Sequence, residues 1–318
     1  MTNNNSTPPD SLRIHQRVLK LMGNRFEISV VSDNEEWAQQ RIDEAIAEIQ
    51  RIEKLLTTYD ENSQANLINQ HAGIQPVKVD SEVLHLIQRC IRISQLTQGA
   101  FDITYGSIDK NLWNFDKNMT ALPSPEIARK MVRLINYKNI EIDENKCTVF
   151  LKEHGMRIGF GGIGKGYAAE RAKKIMLEHH VVSGIVNAAG DLTVWGTQPN
   201  GPPWTIGIAN PNQANEYFSS VQLTDTSIAT SGNYEKYVII DGLKYSHTIN
   251  PKTGLPIRGI KSVTVITPNA EFADALATPI SVMGIQVGLG MVNQLKDVAC
   301  IIIDDSDQVY TSENIKIS

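Results

Sequence analysis

Cysteine is scarce in this chain: Cys90, Cys147 and Cys300 are the only three in 318 residues, far apart, with no CxxC spacing and no histidine-rich neighbour. That argues against a disulfide framework or a thiolate zinc site and leaves buried small side chains as the reading. An excess of one charge is also lacking, since 30 basic residues face 35 acidic ones, for a net charge of -5, with no lysine–arginine run. Such a balance supplies no long-range field for nucleic acid or an anionic membrane, so any binding must be local. No apolar run approaches the roughly 18 residues of a membrane span. The N-terminus, MTNNNSTPPDS, has neither the basic nor the apolar region of a signal peptide. That predicts a cytoplasmic protein, although a periplasmic chain trimmed of its export signal would read the same way.

Glycine, by contrast, is concentrated. Residues 159–172, GFGGIGKGYAAERA, hold five glycines and one lysine in the first eight positions and helix formers after them. Glycine at that density suits backbone at positive φ or in close approach to a ligand. A helix starting there aims its free N–H groups, and the positive end of its dipole, at whatever lies in front. The arrangement suits a phosphate, and a plain glycine-rich turn into a surface helix is the alternative. The P-loop pattern is not met, because Gly166 stands where Ser or Thr must follow the lysine.

Periodicity outlines the remaining elements. Residues 1–11 read as a disordered tail. Alternating apolar positions at Phe26, Ile28 and Val30 predict a strand within 15–31, and spacings of three and four from Ile42 to Leu56 predict a helix over 34–56 capped by Asp33 or Asn34. Further helices are expected around 65–69, from Ser81 to near Gly99 with Asp80 or Ser81 as cap, and over 126–134, 167–179, 272–283 and 287–294, with Pro279 kinking or shifting the fifth of these. A hairpin is expected around Glu144 and Asn145, and a series of short strands fills 183–267 and 300–311. Helices cluster early and strands late without regular βαβ alternation, which predicts an α+β fold.

Five polar clusters could carry chemistry: residues 21–25, 57–60, 99–104, 231–234 with 245–254, and 273–278. Asp274 and Thr278 lie four apart on a predicted helix, so one face offers a carboxylate and a hydroxyl to a hard cation such as Mg2+ that a phosphate also holds. A helix-start aspartate and a threonine bonded back to a carbonyl explain the same pair. His247 is a candidate base near neutral pH, or a loop cap. Phe101 with Asp102 and, separately, Tyr59 present planes for a heterocycle, or ordinary half-buried aromatics.

In order and spacing these motifs resemble the ApbE-type FAD:protein FMN transferases. The resemblance runs from Met22-Gly23 through Thr57-Thr58-Tyr59, GAFDIT at 99–104, GGIGKGY at 161–167, NAAGD at 187–191, TSG at 230–232 and HTINP at 247–251 to ADALAT at 273–278. It implies an ApbE-like, T-fold-like α+β fold with a mixed sheet and flanking helices. The fold would form one domain over 12–318, or two subdomains with the FAD site between them. It implies Mg2+-dependent cleavage of FAD, transfer of FMN to a threonine or serine of an acceptor protein, and release of AMP. FAD pyrophosphatase activity and non-catalytic FAD binding are the alternatives. Met22, Tyr59, Ala100, Phe101 and Asp102 would hold the flavin or adenine, Lys165 and Thr248 would lie along the FAD, and Gly162, Asp274 and Thr278 would hold the metal. His247 would be the base for the acceptor hydroxyl. Relatives usually carry an aspartate at Gly159 and at Glu170, a threonine at Asn24 and a glycine at Ala189, so one expected nucleotide contact is absent at Gly159.

Overall fold

The structure, a computed structural model, describes residues 11–209, 217–232 and 236–315. The tail expected over residues 1–11 falls outside them except for Ser11, as do Asn233 and Tyr234 of the fourth polar cluster.

The strand pattern around Phe26 proves to be half of a hairpin, β1 (Arg13–Leu21) and β2 (Asn24–Ser32). Its turn is Met22 at φ 49 and Gly23 at φ 73. Two consecutive left-handed residues match the right-handed twist of the strands on either side. Asn34 then caps α1 (Glu35–Leu56), its side chain accepting from Trp37 N at 2.9 Å. Ala38, Ile42, Ala45, Ile46, Ile49, Ile52 and Leu56 form the buried stripe of α1, as a period of 3.6 requires. There follow α2 (Gln64–Gln70), β3 (Val77–Lys78) and α3 (Ser81–Leu96). Asp80 precedes α3 without capping it, because its carboxylate takes the Gln64 amide at 2.6 Å instead. Next come α4 (Pro125–Met131), shorter than expected, and the hairpin β4 (Ile140–Asp143) with β5 (Thr148–Leu151).

Helix α5 (Gly164–Glu178) starts inside the glycine run, three residues earlier than expected. Then come β6 (Gly184–Ala188), β7 (Asp191–Trp195), β8 (Trp204–Ala209), β9 (Tyr217–Leu223), β10 (Thr226–Gly232), β11 (Tyr237–Ile240), β12 (Leu243–Ser246) and β13 (Ile260–Thr267). The chain continues through α6 (Ala270–Met283), α7 (Ile285–Val292), β14 (Ala299–Asp304) and β15 (Val309–Thr311). Helix α6 runs through Pro279, which cannot donate to the carbonyl one turn back.

The fold is α+β. Its main sheet has eight strands in the order β1-β2-β6-β7-β10-β13-β14-β15, and every ladder in it is antiparallel. Chain order hides this, for the first two strands join the late ones through the pairing of β2 with β6. Helices α1, α5 and α6 pack on one face. The hairpin β8–β9 covers part of the other, where Leu192, Val194, Trp204, Ile206, Leu223 and Ile228 form a second apolar cluster. Strand β7, covered on both sides, is buried at every position. Alternation therefore turns Leu192 and Val194 toward the hairpin and Asp191 and Thr193 toward α5.

The 247–254 segment, which lines the site described below, is seated on α4 through Gly254. Its φ is 73, and an added Cβ would lie 2.1 Å from the Ala128 carbonyl oxygen. Gly254→Ala is expected to cost roughly 1–3 kcal/mol through combined backbone strain and overpacking, read as a lowered midpoint in urea unfolding.

Candidate functional site

The start of α5 is where sheet and helices meet most closely. Gly166 has no room for a side chain, since a Cβ there would lie 2.2 Å from the Ala270 carbonyl oxygen and 2.8 Å from Asp274 Cβ. That contact lets Gly166 N donate to Asp274 Oδ2 at 3.0 Å. The N-terminus of α5 is thus capped across elements by a carboxylate of α6, where the glycine density suggested an anion cradle. Glu170, one turn further along, reciprocates: its Oε1 accepts from Ala270 N at 2.7 Å and from the Ser227 hydroxyl at 3.2 Å.

Lys165 joins this junction to the sheet. Its ammonium pairs with Asp191 at the head of β7 and lies 3.6 Å from Asp274 Oδ1. All three groups are largely out of water. Burial alone would lower the Lys165 pKa, but the charges of Asp274 and Asp191 outweigh it and hold the ammonium at about 12. Asp191 is pushed up to about 7, by burial first and by the charge of Asp274 second, against the opposing pull of Lys165. Burial likewise raises Asp274 despite Lys165 and the Gly166 amide. One ammonium between two carboxylates leaves the cluster short of one positive charge whenever both carboxylates are ionised.

Two cavities flank this cluster. The first, of 460 Å3, is lined by Ala100, Phe101, Asp102, Gly162, His247, Thr248 and Thr278, with Ser231 and Pro279. The second, of 420 Å3, is lined by Met22, Tyr59, Lys165, Gly164 and the Thr57-Thr58 turn. Gly159 and Gly161 line both, so the glycine segment is the partition between them. A Cβ built on Gly162 would sit 3.6 Å from the Phe101 ring, and one on Gly164 would sit 3.7 Å from the Met22 methyl. Seven of the residues singled out in the sequence thus meet in the first cavity and three in the second. Asp274 is in neither, being buried behind the partition.

Each wall is held by ordinary local chemistry. Asp102 Oδ1 accepts from the Thr104 amide at 2.8 Å and hydroxyl at 2.7 Å, and Oδ2 from Tyr137 N at 3.0 Å. Its carboxylate therefore sets the loop that carries Phe101. Tyr59 is 99% exposed, its ring standing at the mouth of the second cavity. His247 Nδ1 lies 3.2 Å from the Lys236 carbonyl. A carbonyl only accepts, so Nδ1 carries the proton and Nε2 is the basic nitrogen. Thr278 Oγ1 and Ser231 Oγ are 3.2 Å apart.

The donor set suits a hard divalent cation. Asp274 supplies a carboxylate, Thr278 and Ser231 hydroxyls, and the glycine segment carbonyls, all oxygen. The missing positive charge of the cluster is the structural observation that favours a cation here. No three His, Cys, Asp or Glu side chains gather as a metal cage among the described residues, so such an ion would need ligands from its substrate. Asp191 and Ser231 stand in motifs that the sequence singled out, NAAGD at 187–191 and TSG at 230–232, but neither was given a role there.

Gly159, Gly161 and Gly164 have the GxGxxG spacing, but the segment before them is a loop from β5 and no parallel strand precedes α5. The dinucleotide-fold context that gives that motif its meaning is absent. A Cβ on Gly159 would meet nothing within 4 Å, so the position has room for a side chain and the partition is low without one.

Comparison with known proteins bears on this geometry. The ApbE family model matches residues 22–302. A Klebsiella pneumoniae protein named FAD:protein FMN transferase is 29% identical over 302 residues, covering 94% of this chain and 92% of its own. A Vibrio cholerae protein of the same name is 28% identical over 305 residues, covering 93% and 90%. Among solved structures, the ApbE protein of Thermotoga maritima superposes with TM-score 0.82 at 32% identity over 95% of this chain and 97% of that one. The apo form of the Pseudomonas stutzeri flavinyl transferase ApbE gives TM-score 0.83 at 26% identity over 95% and 96%.

The charge shortfall has a measurable sign. Asp191 titrates near 7 in the folded chain and near 3.9 when unfolded. Its contribution to stability is therefore full below about pH 4 and is lost as pH rises through about 7. Compared with Asp191→Asn, the metal-free wild type is expected to gain stability as pH falls from about 8 to about 6, read by urea unfolding at each pH. A stability difference that does not change with pH would refute the assignment.

Proposed function

The chain belongs to the ApbE family, and from that premise we propose that it is a Mg2+-dependent enzyme that transfers FMN from FAD to a threonine or serine hydroxyl of an acceptor protein, releasing AMP. The observation that carries this reading is the pair of cavities meeting over Gly159 and Gly161, each with an aromatic ring at its wall. A dinucleotide has two planar ends and a charged centre. Its diphosphate would cross the glycine partition beside Lys165, with one ring system near Met22 and Tyr59 and the other near Phe101 and Thr248.

The residues then divide the work. Asp274, Thr278 and the Gly162 carbonyl would hold Mg2+, which supplies neutralisation of the charge developing on the diphosphate. Lys165 adds a fixed ammonium, anchored by Asp191 so that it needs no reorganisation during reaction. The acceptor hydroxyl forms a bond to the FMN phosphorus while the bond to the AMP oxygen breaks, the electron pair leaving with AMP. His247 Nε2 takes the hydroxyl proton. Positioning carries most of such a reaction, which suits a site built from packed backbone.

The test is the intact mass of a threonine-bearing acceptor protein after incubation with the chain, FAD and Mg2+. A gain of one FMN is expected, with AMP appearing in equal amount. Free FMN and AMP without the mass gain would mean hydrolysis instead, and no AMP at all would mean a binder. Asp274→Asn is expected to slow transfer by about a hundredfold or more with an unchanged circular dichroism spectrum. Thr278→Val is expected to raise the Mg2+ concentration needed for half-maximal rate.

A further inference from the structure

An open groove of 630 Å3 is distinct from the two cavities above. It runs beside the first and shares two walls with it, Asp102 and Pro251. Its lining is strongly cationic. Arg129 from α4, Arg133, Lys138 and Lys252 surround it, and Asp102 is its only acidic side chain, with both oxygens already bonded to Thr104 and Tyr137. This reverses the sign of the chain as a whole, whose net charge is -5.

All four cations are exposed at the groove, and three of them are unspent. Arg133 reaches Glu153 at 3.5 Å, whereas Arg129, Lys138 and Lys252 make no ion pair among the described residues. The floor is Gly99 at φ 81, over which Lys252 and Tyr137 converge: a Cβ there would lie 3.7 Å from Lys252 Cε and 3.8 Å from the Tyr137 ring. Unpaired cations ringing an open trough are poor for stability, since like charges repel and nothing in the fold offsets them. Charges distributed around a long groove suit an extended anionic chain better than one phosphate, which needs donors converging on a point.

We propose that this groove docks an acidic stretch of the acceptor polypeptide, holding it so that the neighbouring hydroxyl enters the adjoining cavity at His247. The proposal rests on the FMN-transfer reading for its occupant. Pro251 and Lys252 follow His247 and Thr248 within one short segment, so the docking wall and the reacting wall are continuous. The cations supply partner choice and encounter rate while the cavity supplies the chemistry.

The experiment uses the full chain with FAD and Mg2+ and three labelled peptides, each with a single threonine flanked by aspartates, asparagines or lysines. Binding is read by fluorescence anisotropy, and FMN addition by mass in the same samples. The aspartate peptide is expected to bind about tenfold or more tightly than the asparagine peptide, and to lose that advantage between about 50 and about 300 mM NaCl. Arg129→Glu with Lys138→Glu, both on exposed side chains, is expected to abolish the preference while leaving the FAD dissociation constant unchanged. Equal binding of the three peptides, a preference that survives the charge reversal, or displacement of the aspartate peptide by AMP alone would overturn the docking proposal. If charge-selective binding appears without FMN addition to the threonine, the transferase reading fails and the docking site stands. If FMN is added equally to all three peptides, the docking site fails and the transferase reading stands.

Discussion

The ammonium of Lys165, set between Asp191 and Asp274, joins the three parts of the molecule that build the site. It links the first turn of α5 to the head of β7 and the buried face of α6. Buried charges are costly unless paired, and a half-satisfied cluster is costlier than none. Burial raises both carboxylates, and the charge of Asp274 raises Asp191 further against the pull of Lys165. A protein tolerates such a cluster where a ligand completes it. The same arrangement explains why the ammonium keeps its charge although it is largely buried, a condition that electrostatic stabilisation of a diphosphate requires.

Glycine makes that contact geometrically available. Gly166 lets the Ala270 carbonyl approach where any Cβ would collide, which brings the Asp274 carboxylate to the α5 amide. Gly159, Gly161 and Gly162 do something different. They leave the partition between the two cavities low and close to the Phe101 ring. One run of residues thus serves both tight packing at its helical end and open binding surface at its loop end. Glu170 joins the same junction from the next turn, holding the first amide of α6.

Polarity is distributed in a matching way. Along the glycine partition the chain offers one lysine and neutral donors, suited to a diphosphate shared with a cation. Beyond Asp102 it offers four cations on a broad groove, three of them without an ion pair among the described residues. The buried set fixes a small ligand by convergence, and the exposed set acts over a longer range and is sensitive to salt. A chain with a modest net negative charge can therefore present a locally positive face next to its reacting centre.

Much of this was legible in the sequence, for reasons that are local. The stripe of α1, the capping by Asn34, the hairpin at 140–151 and the α+β class follow from periodicity and turn chemistry that depend on neighbouring residues alone. Asp274 and Thr278 could be paired because helical spacing is itself local, and ordered motifs pointed to the family. Other features came only from the tertiary structure. The pairing of β2 with β6 places the first strands beside the late ones, which no periodicity reports. Asp191 looked like the start of a strand until the sheet turned it toward Lys165. The α5 N-terminus looked open to phosphate until a carboxylate from a helix 108 residues away closed it. The groove of Arg129, Lys138 and Lys252 gathers side chains that the sequence disperses. Sequence fixes which groups are present and how each element faces, because those depend on bonded geometry. Which charges meet, and which are left unpaired, depends on long-range packing and so was settled only by the fold.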